Sequence, residues 1–257
     1  MFKFESKTLD FAHKFDKTPR PAPDYEKHHH EFFEILYFVQ GDATFTVEDR
    51  TYDLEPGDVV FIQPGEHHYV TFNPEKCYER YVLKFHETEL PKRMFKKLQN
   101  RATFYKATEE MHAVFRDLDR IHEHFKGEDL TLLFGCRMLE IMILLCQKPE
   151  LEKAVNRDTM ITKIINYIGE NLTERLSLAD ICKHFHFSQS YISNKFSNHM
   201  RSSIISYVRT KKILAAHREI VRGEKATAVA EKYGFSDYST FYRSYVKVMG
   251  FSPAKNK

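Results

Sequence analysis

The stretch HHHEFFEILYFVQG, from His28 to Gly41, sets imidazoles and a carboxylate at chemically useful spacings. On a β-strand, residues an even number apart share a face, so His28, His30 and Glu34 converge if the stretch is extended and lines a barrel. Imidazoles with a carboxylate form a donor set for a divalent transition metal such as Zn, Mn, Fe or Ni. The same groups can hydrogen-bond the hydroxyls of a sugar-like molecule directly, or stand as satisfied polar groups of the wall with no ligand. Near the C-terminus lie two further clusters, Gln189, Ser190, Ser193 and Asn194, then Tyr238, Ser239, Tyr242 and Arg243. Their amide, hydroxyl and guanidinium groups are of the kinds that hydrogen-bond base edges of DNA.

Each set needs a scaffold. From Glu31 to about His86 the runs EFFEILYFV, ATFTVED, VVFI and CYERYVLKF are rich in aromatic and β-branched residues and are separated by Gly41, Asp49, Pro56 and Pro64. Short strands at close spacing predict a small barrel or sandwich. The Pro-rich segment TPRPAPDYEK before them predicts an extended arm over that barrel. From Thr108 the period changes: Met111, Val114, Phe115, Leu118, Ile121 and Phe125 recur at helical spacing, with Thr108 as the cap. The next helix, Leu130 to Gln147, is apolar almost all round, which fits packing on the barrel and on a partner subunit, or burial wholly inside one domain. Cys136, Cys146 and Cys182 fall in apolar helical surroundings and are expected to be buried, reduced thiols, in keeping with a reducing cytosol. Around PELEKAVNRD hydrophobicity drops, marking a linker.

After Asp158 the pattern is helical and repeats itself. LADICKHFHFS from Leu178 matches ATAVAEKYGFS from Ala226 at an offset of 48, and Phe196, Met200 and Ser203 match Tyr245, Met249 and Ser252 at an offset of 49. A small residue in mid-helix (Cys182, Ala230), a turn, and then a Ser or Asp are what two helices crossing steeply at a short turn require, so each copy predicts a helix-turn-helix. Ser177 and Asp180 have capping-box spacing, and Ser188 and Asp237 cap the second helices. Ile192, Phe196, Phe241 and Tyr245 then face inward, which turns the two polar clusters outward. Ile204 to Val221 contains no Pro or Gly and predicts one helix about 27 Å long. That length can hold two recognition helices near one DNA turn, about 34 Å, apart. Arg201, Arg209, Lys211, Lys212, Arg218 and Arg222 are candidates for phosphate contact.

Charge divides along the same line. Residues 1–156 carry 22 Lys+Arg against 28 Asp+Glu, a net −6, while the remainder carry 17 against 8, a net +9. Such asymmetry is expected when one half of a chain meets a polyanion. A length of 257 residues with 42% hydrophobic content allows two cores. The most apolar run, LTLLFGCRMLEIMILLC, falls short of the ~20 residues a membrane span needs and carries Arg137 and Glu140. The N-terminus MFKFESKTLDF shows no signal-peptide pattern. No membrane partner is expected.

The run VAEKYGFSDYSTFYRSYVKVMGFSP closely resembles the closing signature of the AraC/XylS-type transcription regulators, and LSLADICKHFHFSQSYISNKF resembles that family's upstream helix-turn-helix. Two residues depart from the pattern, His186 where a turn glycine is usual and Arg201 where another glycine is frequent. His186 is thereby expected to take a left-handed conformation costing about 1 kcal/mol. The N-terminal stretch is similar to the cupin barrels: His28, His30, Glu34 and Gly41 match the spacing HxHxxxExxxxxxG, and GDVVFIQPGEHHYV from Gly57 resembles the second cupin motif, in which His68 takes the fourth ligand's place. Ala22, Gln63 and Phe72 depart from it.

These readings predict a two-domain α+β chain. A cupin-like β-barrel with its arm occupies residues 1–105, a helical dimerisation segment 106–150, a linker 151–157, and an all-α DNA-binding domain with two helix-turn-helix units 158–257. The expected function is a cytoplasmic, sequence-specific transcription regulator. It answers a small molecule held by His28, His30, Glu34 and His68, either directly or through a divalent transition metal. Family resemblance implies double-stranded DNA as partner, a carbohydrate-like effector, a homodimer, and contact with RNA polymerase if the protein activates. Two other readings compete: a metal-dependent cupin enzyme, against which stand the missing GxSxG and glycine-rich phosphate loops, and a constitutive DNA-binding dimer whose barrel is structural.

Overall fold

Alternation along one strand organises the N-terminal part. In β3 (Phe33–Gly41) Ile35 and Tyr37 point to one core and Leu36 and Phe38 to another, so the strand is buried on both faces and its middle, Ile35 to Val39, is an unbroken apolar run. The structure is a computed structural model describing residues 1–20, 25–91, 93–94, 104–147, 156–157, 159–200 and 202–256. It falls into two units, Met1–Asn156 and Arg157–Lys257.

In the first unit β1 (Phe2–Glu5), β2 (Leu9–Asp16), β6 (Asp58–Ile62), β8 (Tyr78–Phe85) and β9 (Phe104–Lys106) join β3 in a sheet of order β1-β2-β8-β3-β6-β9. β4 (Ala43–Val47) pairs with β5 (Arg50–Asp53) and β7 (His68–Phe72) in a second sheet. The sheets enclose Leu36, Phe38, Phe45, Val47, Val60 and Ile62 between them and do not close into one continuous ladder. Strands β1, β2, β5, β7 and β9 lie outside the runs singled out from sequence. The expected strand from Glu31 begins at Phe33, after a bend at Glu31 and Phe32.

Two helices cover the outer face of the larger sheet. Helix α1 (Glu109–His124) starts at Thr108, whose side chain accepts from the Met111 N–H, and buries Met111, Val114, Phe115, Leu118 and Ile121. Helix α2 (Gly127–Gln147) buries Leu130, Phe134, Met138, Ile141, Met142 and Leu145. Its opposite side is apolar but uncovered in the monomer: Leu132 is 67% and Ile143 47% exposed. Cys136 is exposed on that side and Cys146 half-buried, so of the three thiols expected in the interior only Cys182 is buried. An all-round apolar helix has one face too many for its own domain, and Cys136 falls on the spare one.

The second unit is helical: α3 (Thr159–Glu170), α4 (Leu178–Phe185), α5 (Gln189–Met200), α6 (Ile204–Val221), α7 (Ala226–Lys232) and α8 (Tyr238–Met249). It has two cores. One gathers Ile161, Ile164, Ile168, Ile181, Ile192 and Phe196 with the start of α6, and the other gathers Val229, Ala230, Phe241 and Tyr245 with its middle. Ser203 begins α6 by accepting from the Ser206 N–H. Among the described residues no helix is long and apolar enough to cross a membrane.

Candidate ligand pocket and DNA interface

His28 and His30 precede β3 rather than sitting on it. His28 is bridged to His68, at the head of β7, through His28 N–H to His68 O (3.1 Å) and His68 N–H to His28 O (2.9 Å). The meeting of the imidazoles therefore comes from pairing between two segments, because the bend at Glu31 and Phe32 interrupts the alternation assumed from sequence. Glu34 alone of the expected set is on β3, on the inward face with Leu36 and Phe38. His29 and His67 meet away from the cluster, edge to face with centroids 4.7 Å apart.

Each of the three imidazoles donates its Nδ1–H to a carbonyl two residues away: His28 to Glu26 O (2.7 Å), His30 to Phe32 O (2.9 Å) and His68 to Glu66 O (2.9 Å). A carbonyl only accepts, so the proton on each Nδ1 is fixed; this aims the second nitrogen of His28 and His68, whereas that of His30 is engaged by the Glu34 carboxylate. Metal-ligating histidines are commonly held in this way. One nitrogen from each of His28, His30 and His68 lies within 4.8 Å of the others. His30 Nε2 is 2.9 Å from Glu34 Oε2, an oxygen that is 3.9 Å from His68 Nε2 and 3.6 Å from Lys84 Nζ.

His68 Nε2 is buried and has no hydrogen-bond partner. Burial, opposed by the Glu34 charge, pushes the His68 imidazole down to about 3, so it is a neutral donor at physiological pH. Burial by itself would raise the Glu34 carboxyl. With His68 neutral, the His30 hydrogen bond and the Lys84 ammonium hold it well below the usual carboxylate range. The cavity around these groups measures about 40 Å³ and is also lined by Tyr25, Tyr78 and Arg80. By that measure it holds roughly two or three waters. Tyr25 closes one side, donating to Asp16 Oδ2 at 2.7 Å and accepting from the buried Arg80, which pairs with Asp16. The rest of the expected arm includes residues 21–24, with Ala22, which lie outside the described residues. Arg80 and Lys84 were not anticipated here; the alternation of CYERYVLKF puts both on the face of Val82 and would have found them.

In the tail, Ser177 and Asp180 form the capping box at α4, and Asp237 caps α8 by accepting from the Thr240 N–H. Ser188 accepts from the Tyr191 N–H at 3.2 Å at the start of α5. His186 has φ 58° and ψ 37°, the left-handed conformation expected of it. Gln189, Ser190 and Asn194 are exposed and Ser193 half-buried, and Tyr238, Ser239, Tyr242 and Arg243 are all exposed. The structure thus places each cluster on the outer face of the second helix of its unit. Sequence reasoning passed over Phe187 and Tyr191, whose exposed rings stack at 4.9 Å beside the first cluster; their i, i+4 spacing across the cap was the available signal.

One expected phosphate contact is corrected. Lys212 is buried, with its ammonium bonded to the carbonyl oxygens of Glu174 and Tyr233, because the inward face of α6 carries it into the seam between the two cores. Arg209 and Arg222 are exposed, Lys211 and Arg218 half-buried, and Arg201 lies outside the described residues.

A family model described as "AraC-like ligand binding domain" matches residues 19–130, and one described as "Helix-turn-helix domain" matches residues 181–256. The uncharacterized HTH-type transcriptional regulator YdiP of Escherichia coli (strain K12) is 23% identical over 282 residues, covering 98% of this chain and 89% of that protein. The uncharacterized HTH-type transcriptional regulator YfiF of Bacillus subtilis (strain 168) is 26% identical over 256 residues, covering 88% and 76%. The crystal structure of ToxT from Vibrio cholerae O395 aligns over 97% of both chains at 12% identity with a TM-score of 0.41.

Proposed function

As an AraC-type DNA-binding transcription regulator with an N-terminal ligand-binding domain, this chain must both grip a duplex and take up a ligand, and we propose which side chains do each. Gln189, Ser190, Ser193 and Asn194 on α5 and Tyr238, Ser239, Tyr242 and Arg243 on α8 read base edges in successive major-groove segments. What supports this reading is that both clusters are outward and begin at capped helix N-termini, the end that approaches base edges in helix-turn-helix proteins. Exposed Arg209 and Arg222 contact phosphates and set register, not sequence.

His28, His30, Glu34 and His68 form the ligand seat, and the ligand that fits it is a divalent transition metal. The observation that carries this is the donation of all three Nδ1–H groups to carbonyls, with one buried ring nitrogen left unpartnered. When bound, the ion would act as a Lewis-acidic anchor for oxygen donors; the chain's own groups aim the nitrogens, keep His68 neutral and place a carboxylate. Direct capture of a carbohydrate is the less favoured reading, because about 40 Å³ is far below the roughly 300–1,000 Å³ of pockets that enclose organic ligands.

The uncovered face of α2, with Leu132, Cys136 and Ile143, pairs two copies, giving a homodimer of cytoplasmic regulators that meets RNA polymerase where it activates. Ligand binding acts by favouring one arrangement of this dimer over another, to no greater extent than its differential affinity for the two. The test uses full-length protein and random-sequence duplexes. Selection should enrich one motif, and adding Zn, Mn or Ni to chelator-treated protein should change affinity for it. Enrichment of no motif would overturn the assignment of the recognition helices, and a motif bound equally with and without every metal would overturn the assignment of the seat.

A further inference from the structure

The two helix-turn-helix units have separate cores, and the change from one to the other falls within α6. Ile204, Tyr207 and Val208 belong to the first core and Ile213, Leu214 and Ala216 to the second. Joined by one helix alone, the units would bend and twist about the residues between. Lys212 lies at that junction, and its buried ammonium is the cross-tie: it donates to Glu174 O, in the segment leading into the first unit, and at 2.8 Å to Tyr233 O, in the turn of the second. The same two backbones touch nearby. A Cβ built on Gly234, at φ +70°, would lie 3.2 Å from the Glu174 carbonyl, and Leu172 packs against both cores.

We infer that Lys212 is a positioning residue that sets the separation at which the two units read DNA, so that the protein demands one spacing between its two contacted segments. A methylene chain with a charged head suits the role, since three N–H donors can bind two carbonyls at once while burial of the stem costs little. Burial lowers the lysine below its ordinary value, with the Glu174 charge opposing. The inference rests on the assignment of α5 and α8 as reading helices.

The experiment uses full-length protein on the motif selected from random duplexes, with one base pair inserted or removed between the two protected segments. In the wild type the insertion should weaken binding at least about tenfold, the equivalent of one lost base contact. Lys212→Met should weaken binding to the unaltered motif yet cut the insertion penalty to about threefold or less. Gly234→Ala crowds the Glu174 backbone, which must give by a few tenths of an ångström, without removing the charge and should do likewise; it keeps the idea testable if Lys212→Met does not fold. An insertion penalty unchanged in both variants overturns the inference. So does a Lys212→Met effect that appears only as a fall of about 1 in the salt slope, the mark of a lost phosphate contact. If selection yields no motif, the reading-helix assignment itself has failed, which is a separate result.

Discussion

Replacing His68 by leucine separates the two contributions of the imidazole cluster. In the metal-free protein His68 Nε2 is buried without a partner, a condition that costs about 1–3 kcal/mol. Leucine removes that nitrogen and also the Nδ1–H bond to Glu66 O, worth about 0.5–1.5 kcal/mol. The metal-free variant should therefore lie between about 0.5 kcal/mol less and about 2.5 kcal/mol more stable than the wild type, an unusual outcome for a substitution at a buried site. With metal at a hundred times its dissociation constant the wild type gains about 2.7 kcal/mol. For a unit of this size that is about 5–11 °C in the melting temperature, and His68→Leu should lose most of it. Calorimetry of the full chain, chelated and then titrated with Zn, Mn, Co or Ni, reads both quantities. The reasoning fails if the variant and the wild type gain equally, since the ion then sits on His28 and His30 alone. It fails equally if chelated His68→Leu is several kcal/mol less stable than the wild type.

Three other outcomes follow from the same structure. Arg243→Ala should weaken binding by about 1–3 kcal/mol and relax preference at one base position if the guanidinium reads a base edge; equal weakening on all sequences, measured by anisotropy, would reassign it to phosphate. Leu132→Glu and Ile143→Glu place charges on the uncovered face of α2 and should convert dimer to monomer in sedimentation velocity with unchanged circular dichroism, whereas dimers that persist would place the interface elsewhere. The Ser177 hydroxyl and N–H hold the Asp180 carboxyl below its ordinary value, so its contribution is fully present above about pH 4 and is lost as pH falls through the lower folded value; Asp180→Asn should flatten the acid limb of urea stability between about pH 5 and pH 2, and an unaltered limb would remove the capping box from that role.

The tail was the more legible half of the chain. Its helices are set by local signals, namely caps at Ser177, Ser188 and Asp237 and inward residues at helical spacing such as Ile192 and Phe196, and each of these acts within a few residues of itself. The barrel half was legible in kind but not in detail. β1 has only four residues, while the alternation of β2, with Asp10, Lys14 and Asp16 on one face, was a strand signal that the sequence reading passed over; its pairing with β8 comes from far along the chain. The meeting of His28 with His68 is likewise a pairing between segments forty residues apart, whereas periodicity sees only one strand at a time. Lys212 was misread for a related reason. A lysine in a basic helix is usually solvated, and its burial depends on where the backbones of Glu174 and Tyr233 pass.

That seam also explains why the two copies of the repeat differ at their turns. Both turns pass through the left-handed region, at His186 with φ 58° and at Gly234 with φ 70°. A side chain there costs about 1 kcal/mol in either copy, so conformation alone does not separate them. The surroundings do. At Gly234 the Glu174 carbonyl stands where a Cβ would be crowded, while His186 is exposed. A residue with a side chain can therefore occupy the first turn at the backbone cost alone, but in the second it would also push the two units apart. The glycine of the second turn is thus tied to how the units are held together, whereas the histidine of the first stands at an exposed turn. The same close approach bears on the lysine: Glu174 O accepts from the Leu176 N–H as well as from the Lys212 ammonium, which also bonds Tyr233 O, so the ammonium joins the two backbones where a Cβ at Gly234 would be crowded.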